Sequence, residues 1–275
     1  MTIWQQIILG LIFAGAIAAV SYWFKALTKS GALAAWLLGT VVFGLSGWTG
    51  TALLMAFFTS SSALSRLFKK RKEKLDEKYA KGSRRDAWQV LANGGMAGGL
   101  LMVWFLFGKP EWAWLAMAAS LAAVNADTWA TELGVLSRSA PRRMTTGQVV
   151  PYGTSGAITL VGTGAALAGA AFVALVSAGV DAFAGLHWQV ILTRSVLICL
   201  AGLLGSLVDS LLGDTAQAIY YCPACSKETE RHPVHSCGTP TQQVRGWKWL
   251  NNDWVNFACS VSAAVLAATV SCLLP

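Results

Sequence analysis

Eight apolar stretches, most of them long enough to cross a bilayer, divide this chain and leave little else to build a fold from. They run at about Ile3–Phe24, Gly31–Leu45, Trp48–Leu67, Ala87–Phe107, Trp112–Leu136, Gly156–Val180, Trp188–Leu212 and Trp254–Leu274. A helix needs about 20 apolar residues to span the hydrocarbon core. The second and third stretches share one 37-residue run, broken only by GLSGW at Gly44–Trp48. That run is too long for one span, and Gly-Ser-Gly reads as the turn of a tight hairpin. In lipid the backbone must satisfy its own polar groups, which favours helices. The expected fold is an all-α polytopic membrane bundle of about eight transmembrane helices. It forms one integral membrane domain over residues 1–275, with no separate soluble domain.

Composition agrees. Of 275 residues, 55% are hydrophobic and 12% charged, where soluble domains average about 25% charged. A soluble protein this apolar would expose large patches and aggregate. The first stretch has no basic n-region and no evident cleavage site, so it reads as a retained helix and not a signal peptide.

Orientation follows from the basic residues. Lys25 and Lys29, ten residues between Arg66 and Arg85, then Arg138, Arg142 and Arg143, and finally Lys227, Arg231, Arg245 and Lys248 all fall in alternate loops. These are 19 of the 21 Lys and Arg residues, the others being Lys109 and Arg194. The basic loops are expected in the cytoplasm and both termini outside, in a plasma (inner) membrane protein. The net charge of +8 then reflects topology and attraction to anionic lipid, and no nucleic-acid partner is expected. The Lys69–Lys81 stretch reads as a solvated loop touching lipid headgroups, His187 as an interfacial residue and Arg194 as a snorkelling side chain.

With that topology, four spans present polar groups at the cytoplasmic end. Asp127 and Glu132 close the fifth span, Asp209 and Asp214 the seventh, Asn93 opens the fourth, and Asn252, Asp253 and Asn256 open the eighth. Each alone reads as a polar helix terminus, but their convergence points to a site, since ionisable groups at membrane depth are costly. Clustered carboxylates repel unless protonated or bridged, and carboxylate with carboxamide oxygen suits Mg²⁺. The loop that follows supplies the anion side: Arg142, Arg143, Thr145 and Thr146, then Gly153, Thr154, Ser155 and Gly156 at the start of the sixth span. Glycine lets backbone approach an oxyanion, and a helix N-terminus directs free N–H groups at it. The set reads as a cytoplasm-facing metal–phosphate site.

The run NADTWATELGVLSRSAPRRMTTGQVVPYGTSGAIT resembles the signature of a family of integral membrane proteins that includes the plant and cyanobacterial phytyl-phosphate kinases. QVLANGG, GSLVDSLLGDTAQA and WLNNDWVN resemble its other blocks, so the likeness covers most of Arg85 to Asn256. More loosely, Asp127, Ala130 and Gly134 match the D-x-x-A-x-x-x-G pattern of CTP-dependent lipid enzymes: dolichol kinase, phytol kinase and CDP-diacylglycerol synthase. The resemblance implies phosphoryl transfer from CTP to a membrane-embedded prenyl monophosphate, giving the diphosphate.

On that reading Asp127, with Glu132 or Asp209, holds Mg²⁺, and Arg142 or Arg143 neutralises the transferred group. Gly153–Gly156 cradles the other phosphates, with Asn125, Thr145, Thr146, Asn93, Asn252, Asp253 and Asn256 as further nucleotide or phosphate contacts. A phosphate acceptor is already nucleophilic; an alcohol acceptor would need a base, and Asp214 is the candidate. The rival readings are a prenyl alcohol kinase, a cytidylyltransferase, and a transporter or flippase of a phosphorylated lipid.

Cys222 and Cys225 stand at C-x-x-C spacing, with His232, His235 and Cys237 following in the same loop (222–237). Cys222, Cys225, Cys237 and one histidine would make a tetrahedral structural Zn²⁺ site; free thiols or a redox pair are the alternatives. Cys199, Cys259 and Cys272 lie in spans, where cysteine behaves as a small apolar residue.

Overall fold

The computed structural model of the chain describes residues 2–68 and 84–273. Among them are eight helices: α1 (Ile3–Trp23), α2 (Lys29–Ser46), α3 (Trp48–Leu67), α4 (Ala87–Leu106), α5 (Glu111–Gly134), α6 (Leu160–Phe183), α7 (Trp188–Thr215) and α8 (Asn252–Leu273). The protein is a helical membrane bundle. Six of the helices (α1, α2, α4, α6, α7 and α8) are long and apolar enough to cross a membrane. The exceptions have visible causes: α3 carries the polar run Thr59–Ser62, and α5 bears Glu111, Asp127 and Glu132.

Helix α5 is the axis of the bundle. From Ala113 to Ala126 every residue is buried, because α3, α4, α6, α7 and α8 all pack on it. Alanine on most of its faces lets neighbours approach closely, the packing mode that replaces hydrophobic drive in lipid. Where α7 crosses, a Cβ on Gly202 would sit 2.7 Å from the Ala122 Cβ, and one on Gly205 2.8 Å from the Ala123 Cβ.

The hairpin between the second and third stretches is present: Gly47, at φ 61°, closes α2 and opens α3. Local caps set other boundaries. Thr28 caps α2 through the Gly31 N–H, and Asp86 with Gln89 forms a reciprocal capping box on α4. Two short sheets break the all-helical pattern. Strands β1 (Arg142–Arg143) and β2 (Ala157–Ile158) pair antiparallel in the α5–α6 connection. Between α7 and α8, strands β3 (Ile219–Cys222), β4 (Lys227–Thr229) and β5 (Gln242–Arg245) form an antiparallel sheet in the order β4-β3-β5. The Ile-Tyr-Tyr run of β3 has strand character, and it is too short to register against the apolar spans around it.

One end of the bundle gathers the basic connections. Arg66 Nη2 donates to the Phe24 carbonyl and Arg84 Nη2 to the Leu27 carbonyl, while the Arg85 backbone pairs with the 26–28 linker. The carboxylates share this end, since Ser65 Oγ near the end of α3 donates to Glu132 Oε1 at 2.7 Å. The Lys69–Lys81 stretch lies outside the described residues. At the opposite end Arg194 does not snorkel. Its guanidinium reaches Asp181 Oδ1 at 3.1 Å and Glu111 Oε1 at 2.9 Å, tying α5, α6 and α7 together.

Candidate functional site

At the basic end the helices open around a cavity of about 370 Å³. The C-terminal turns of α5 and α7, the starts of α4 and α8 and the loop before α6 all contribute to its wall. Of the residues expected from sequence, Asp127, Glu132, Asp209, Asn93, Gly153, Thr154, Ser155, Gly156, Asn252, Asp253 and Asn256 line it. Asp127 and Asp209 face one another closely enough to share a hydrogen bond, with Glu230 the next negative charge. Asp209 Oδ2 is buried without a hydrogen-bond partner among the described residues. Facing carboxylates with a buried, unsatisfied oxygen fit a hard divalent cation, which takes oxygen donors and offsets their repulsion. Carboxamides from Asn93, Asn252 and Asn256 widen the oxygen set.

Asp127 and Glu132 lie about 140° apart around a regular helix, and α5 stays helical through Gly134. They therefore serve different partners. Asp127 turns to Asp209, whereas Glu132 accepts from Ser65 and attracts the Arg85 guanidinium. Arg85 is the one basic side chain among the described lining residues. Burial pulls its pKa down and the Glu132 carboxylate opposes that fall.

The rest of the expected set is elsewhere. Asp214 is not available as a base: its side chain is 1% exposed and holds Arg143 at 2.7 Å, with Arg245 at 3.6 Å. Its other oxygen accepts from the Thr145 N–H and hydroxyl at 3.0 and 2.6 Å. Arg143 and Thr145 are thus engaged in clamping the α5–α6 loop to α7 and do not line the cavity. Arg142 donates to the Gly147 carbonyl and Thr146 Oγ1 accepts from the Gln148 N–H, both outside the cavity. Asn125 is fully buried, its amide bridging Ser60 and the Gly169 carbonyl. Nor does Gly153–Gly156 open a helix. Thr159 caps α6, so the GTSG turn precedes the helix by several residues. Gly156, at φ 72°, is pressed onto the end of α7, where a Cβ would overlap Ser210 O and Asp214 N. Ser155 Oγ donates to Gln217 Oε1, and Gln217 Nε2 donates to Glu230 Oε1.

Removing the Asp214 carboxylate should therefore loosen the loop. It would strand two partly exposed arginines and one backbone N–H, at a cost of about 1–3 kcal/mol. Asp214→Ala is expected to lower the thermal midpoint in detergent by about 3–8 °C, and an unchanged midpoint would contradict the clamp.

A second, apolar groove of about 80 Å³ runs among α1–α4, bounded by Phe13, Ile17, Leu38, Phe43, Leu54 and Phe57. Its polar end is formed by Arg85, Gln89 and Asn93, the same residues that line the cavity. Arg85, Gln89, Ser65 and Glu230 were not anticipated from sequence. The signal for Arg85 was its place directly before the Asp86–Gln89 capping box, which fixes it to the start of α4.

In the β3–β5 connection, Cys222, Cys225, His235 and Cys237 converge, with one ligand atom from each within 4.8 Å of the others. His232 is not part of the group; it stacks on Tyr220 at 4.4 Å between ring centroids.

Protein PGR of Arabidopsis thaliana is similar, at 32% identity over 97% of this chain and 96% of its own length. An uncharacterized membrane protein of Methanocaldococcus jannaschii is 30% identical over 91% of this chain and 88% of its own. Protein VTE6, chloroplastic, also of Arabidopsis thaliana, is 28% identical over 84% of this chain and 61% of its own. No solved structure matches the chain significantly. The family described as Integral membrane protein DUF92 matches residues 12–264, and this chain belongs to it.

Proposed function

We propose that this protein is a CTP- and Mg²⁺-dependent phosphotransferase that converts a prenyl monophosphate to the diphosphate at the cytoplasmic face of the plasma membrane. The observation that carries the reading is the junction at Arg85. There an apolar groove among four helices and a polar cavity walled by carboxylates share Arg85, Gln89 and Asn93 in their walls. A lipid phosphate needs that pairing: a greasy channel for the tail and a cation where the head emerges. The resemblance of the NADTWATELG block to the phytyl-phosphate kinases supplies the prenyl group and the nucleotide.

Phosphoryl transfer asks for positioning and charge neutralisation more than for covalent chemistry. Asp127 and Asp209 would hold Mg²⁺, which when bound would offset the negative charge of the nucleotide's phosphates. Arg85 orients the acceptor phosphate and offsets its charge through directed N–H donors. An acceptor oxygen forms a bond to the γ-phosphorus as the bond to the β,γ-bridging oxygen breaks, and CDP leaves. No base is needed, because the acceptor is already an anion. This accords with the engagement of Asp214 in its clamp. Ser155, Gln217 and Glu230 form a chain that holds the GTSG turn at the cavity wall, and Glu132 holds the Arg85 charge in place.

Purified protein given CTP, Mg²⁺ and phytyl or geranylgeranyl monophosphate should release CDP and the prenyl diphosphate in equal amounts. Release of pyrophosphate would mark a cytidylyltransferase. Phosphorylation of the alcohol alone would mark a prenol kinase. Movement of the lipid phosphate across vesicles without nucleotide consumption would mark a flippase. Each of these three outcomes would overturn the reading.

A further inference from the structure

We infer that the connection between α7 and α8 is a zinc knuckle, with the metal held by Cys222, Cys225, His235 and Cys237. Tetrahedral zinc, with bonds of about 2.3 Å to sulfur and about 2.1 Å to nitrogen, sets two sulfurs about 3.8 Å apart and a sulfur about 3.6 Å from a nitrogen. Three of the ligand-atom pairs lie within about 0.4 Å of those spacings, and all four atoms lie within 4.8 Å of one another. Cys222 Sγ is 3.6 Å from Cys237 Sγ, Cys225 Sγ is 3.6 Å from His235 Nδ1, and His235 Nδ1 is 3.2 Å from Cys237 Sγ. A disulfide requires a sulfur separation of about 2.05 Å, and these thiols are well beyond it.

The backbone explains the convergence. Cys222 ends β3, Cys225 lies in the turn to β4, and His235 and Cys237 come from the segment between β4 and β5. That segment is drawn back by the His235 N–H to Thr239 carbonyl bond. Cys222 and His235 are buried, and the large apolar side chains that the sheet itself buries are Ile219 and Tyr220. Four metal bonds supply what a three-stranded sheet of 11 residues cannot bury. The choice of histidine is part of the inference, because His232 is committed to its stack on Tyr220.

The knuckle also bears on the cavity. Gln217 precedes β3 and Glu230 follows β4, both residues line the cavity, and they hydrogen-bond each other at 2.8 Å. Zinc at the far end of this strand pair fixes the register that presents them. None of the four residues lines the cavity, and the site would be filled whether or not the protein is a phosphotransferase.

Elemental analysis of the full chain, purified without chelators, should find about one zinc per chain. Cobalt substitution should give the intense visible bands of tetrahedral thiolate coordination. His235→Asn should lose the metal while His232→Asn keeps it. Should His235→Asn fail to fold, zinc release from the native protein on thiol modification, read with a chromogenic chelator while helical circular dichroism persists, gives the same answer. Protein without metal, protein carrying iron instead, or loss of zinc in His232→Asn with retention in His235→Asn would overturn the inference. None of these readouts involves turnover, so the knuckle and the phosphotransferase reading fail separately.

Discussion

Asp127→Asn is expected to cut CDP formation by at least about a thousandfold, or about 4 kcal/mol of transition-state stabilisation, while the protein still folds and inserts. The substitution keeps the size of the side chain and removes one charge from a pair of facing carboxylates. In metal-free protein that relieves repulsion, so the variant's thermal midpoint should equal or exceed the parent's. Added Mg²⁺ should raise the parent's midpoint, since a ligand that binds only the folded state stabilises it; the variant should gain much less. Lost activity together with retained stability separates a metal ligand from a packing residue. Near-normal turnover of Asp127→Asn at saturating Mg²⁺ would sink the assignment. Glu132→Gln should be less severe, since Glu132 is turned toward Ser65 and Arg85.

The helices were legible because their signal is one of length. An apolar run bounded by Trp, Pro-Glu or a capping Thr or Asp ends where its hydrogen-bonding ends. The sequence boundaries for α3 and α7 accordingly begin at Trp48 and Trp188 in the structure as well. Where the apolar run outlasted the helix, as in Gly156–Thr159, the reading went wrong. Those residues are uncharged and mostly small, yet β2 and the Thr159 cap place them in the loop. The polar residues show a different limit. Side chains fixed to a helix end, such as Asp127, Asp209 and Asn93, line one cavity because helical geometry carries them to one level.

Residues in the α5–α6 loop had no such guide. Arg142 and Arg143 beside Thr145 and Thr146 read as the anion-binding side of the site. What engages Arg143 and Thr145 is Asp214, a partner about 70 positions away, and no local pattern reveals it. Arg85 was missed for the converse reason. It is the last of ten basic residues in a loop whose charge was fully explained by topology. The cysteines illustrate an intermediate case: C-x-x-C spacing pointed to the cluster that the structure gathers, but only the stacking of His232 on Tyr220 distinguishes the two histidines.

Arg85 therefore carries the second large effect. Arg85→Gln is expected to raise KM for the prenyl phosphate by about 10–100-fold, the worth of about 1.5–3 kcal/mol for hydrogen bonds to a charged group. KM for CTP should move by no more than about threefold if the nucleotide rests on the metal and the carboxamides. Arg85→Lys keeps the charge that faces Glu132 but loses the planar fork, so it should recover only part of the affinity. The guanidinium also lies 5.6 Å from the Phe57 ring centroid, and its removal perturbs packing at the mouth of the groove. A short-chain phosphate acceptor distinguishes the two effects. If Arg85 binds the head, the loss factor should be the same for short and long tails. If the substitution merely collapses the groove lined by Phe57 and Leu38, only the long-chain acceptor should suffer. A larger rise in KM for CTP than for the lipid would place Arg85 on the nucleotide and reverse the assignment of the two substrates within the cavity.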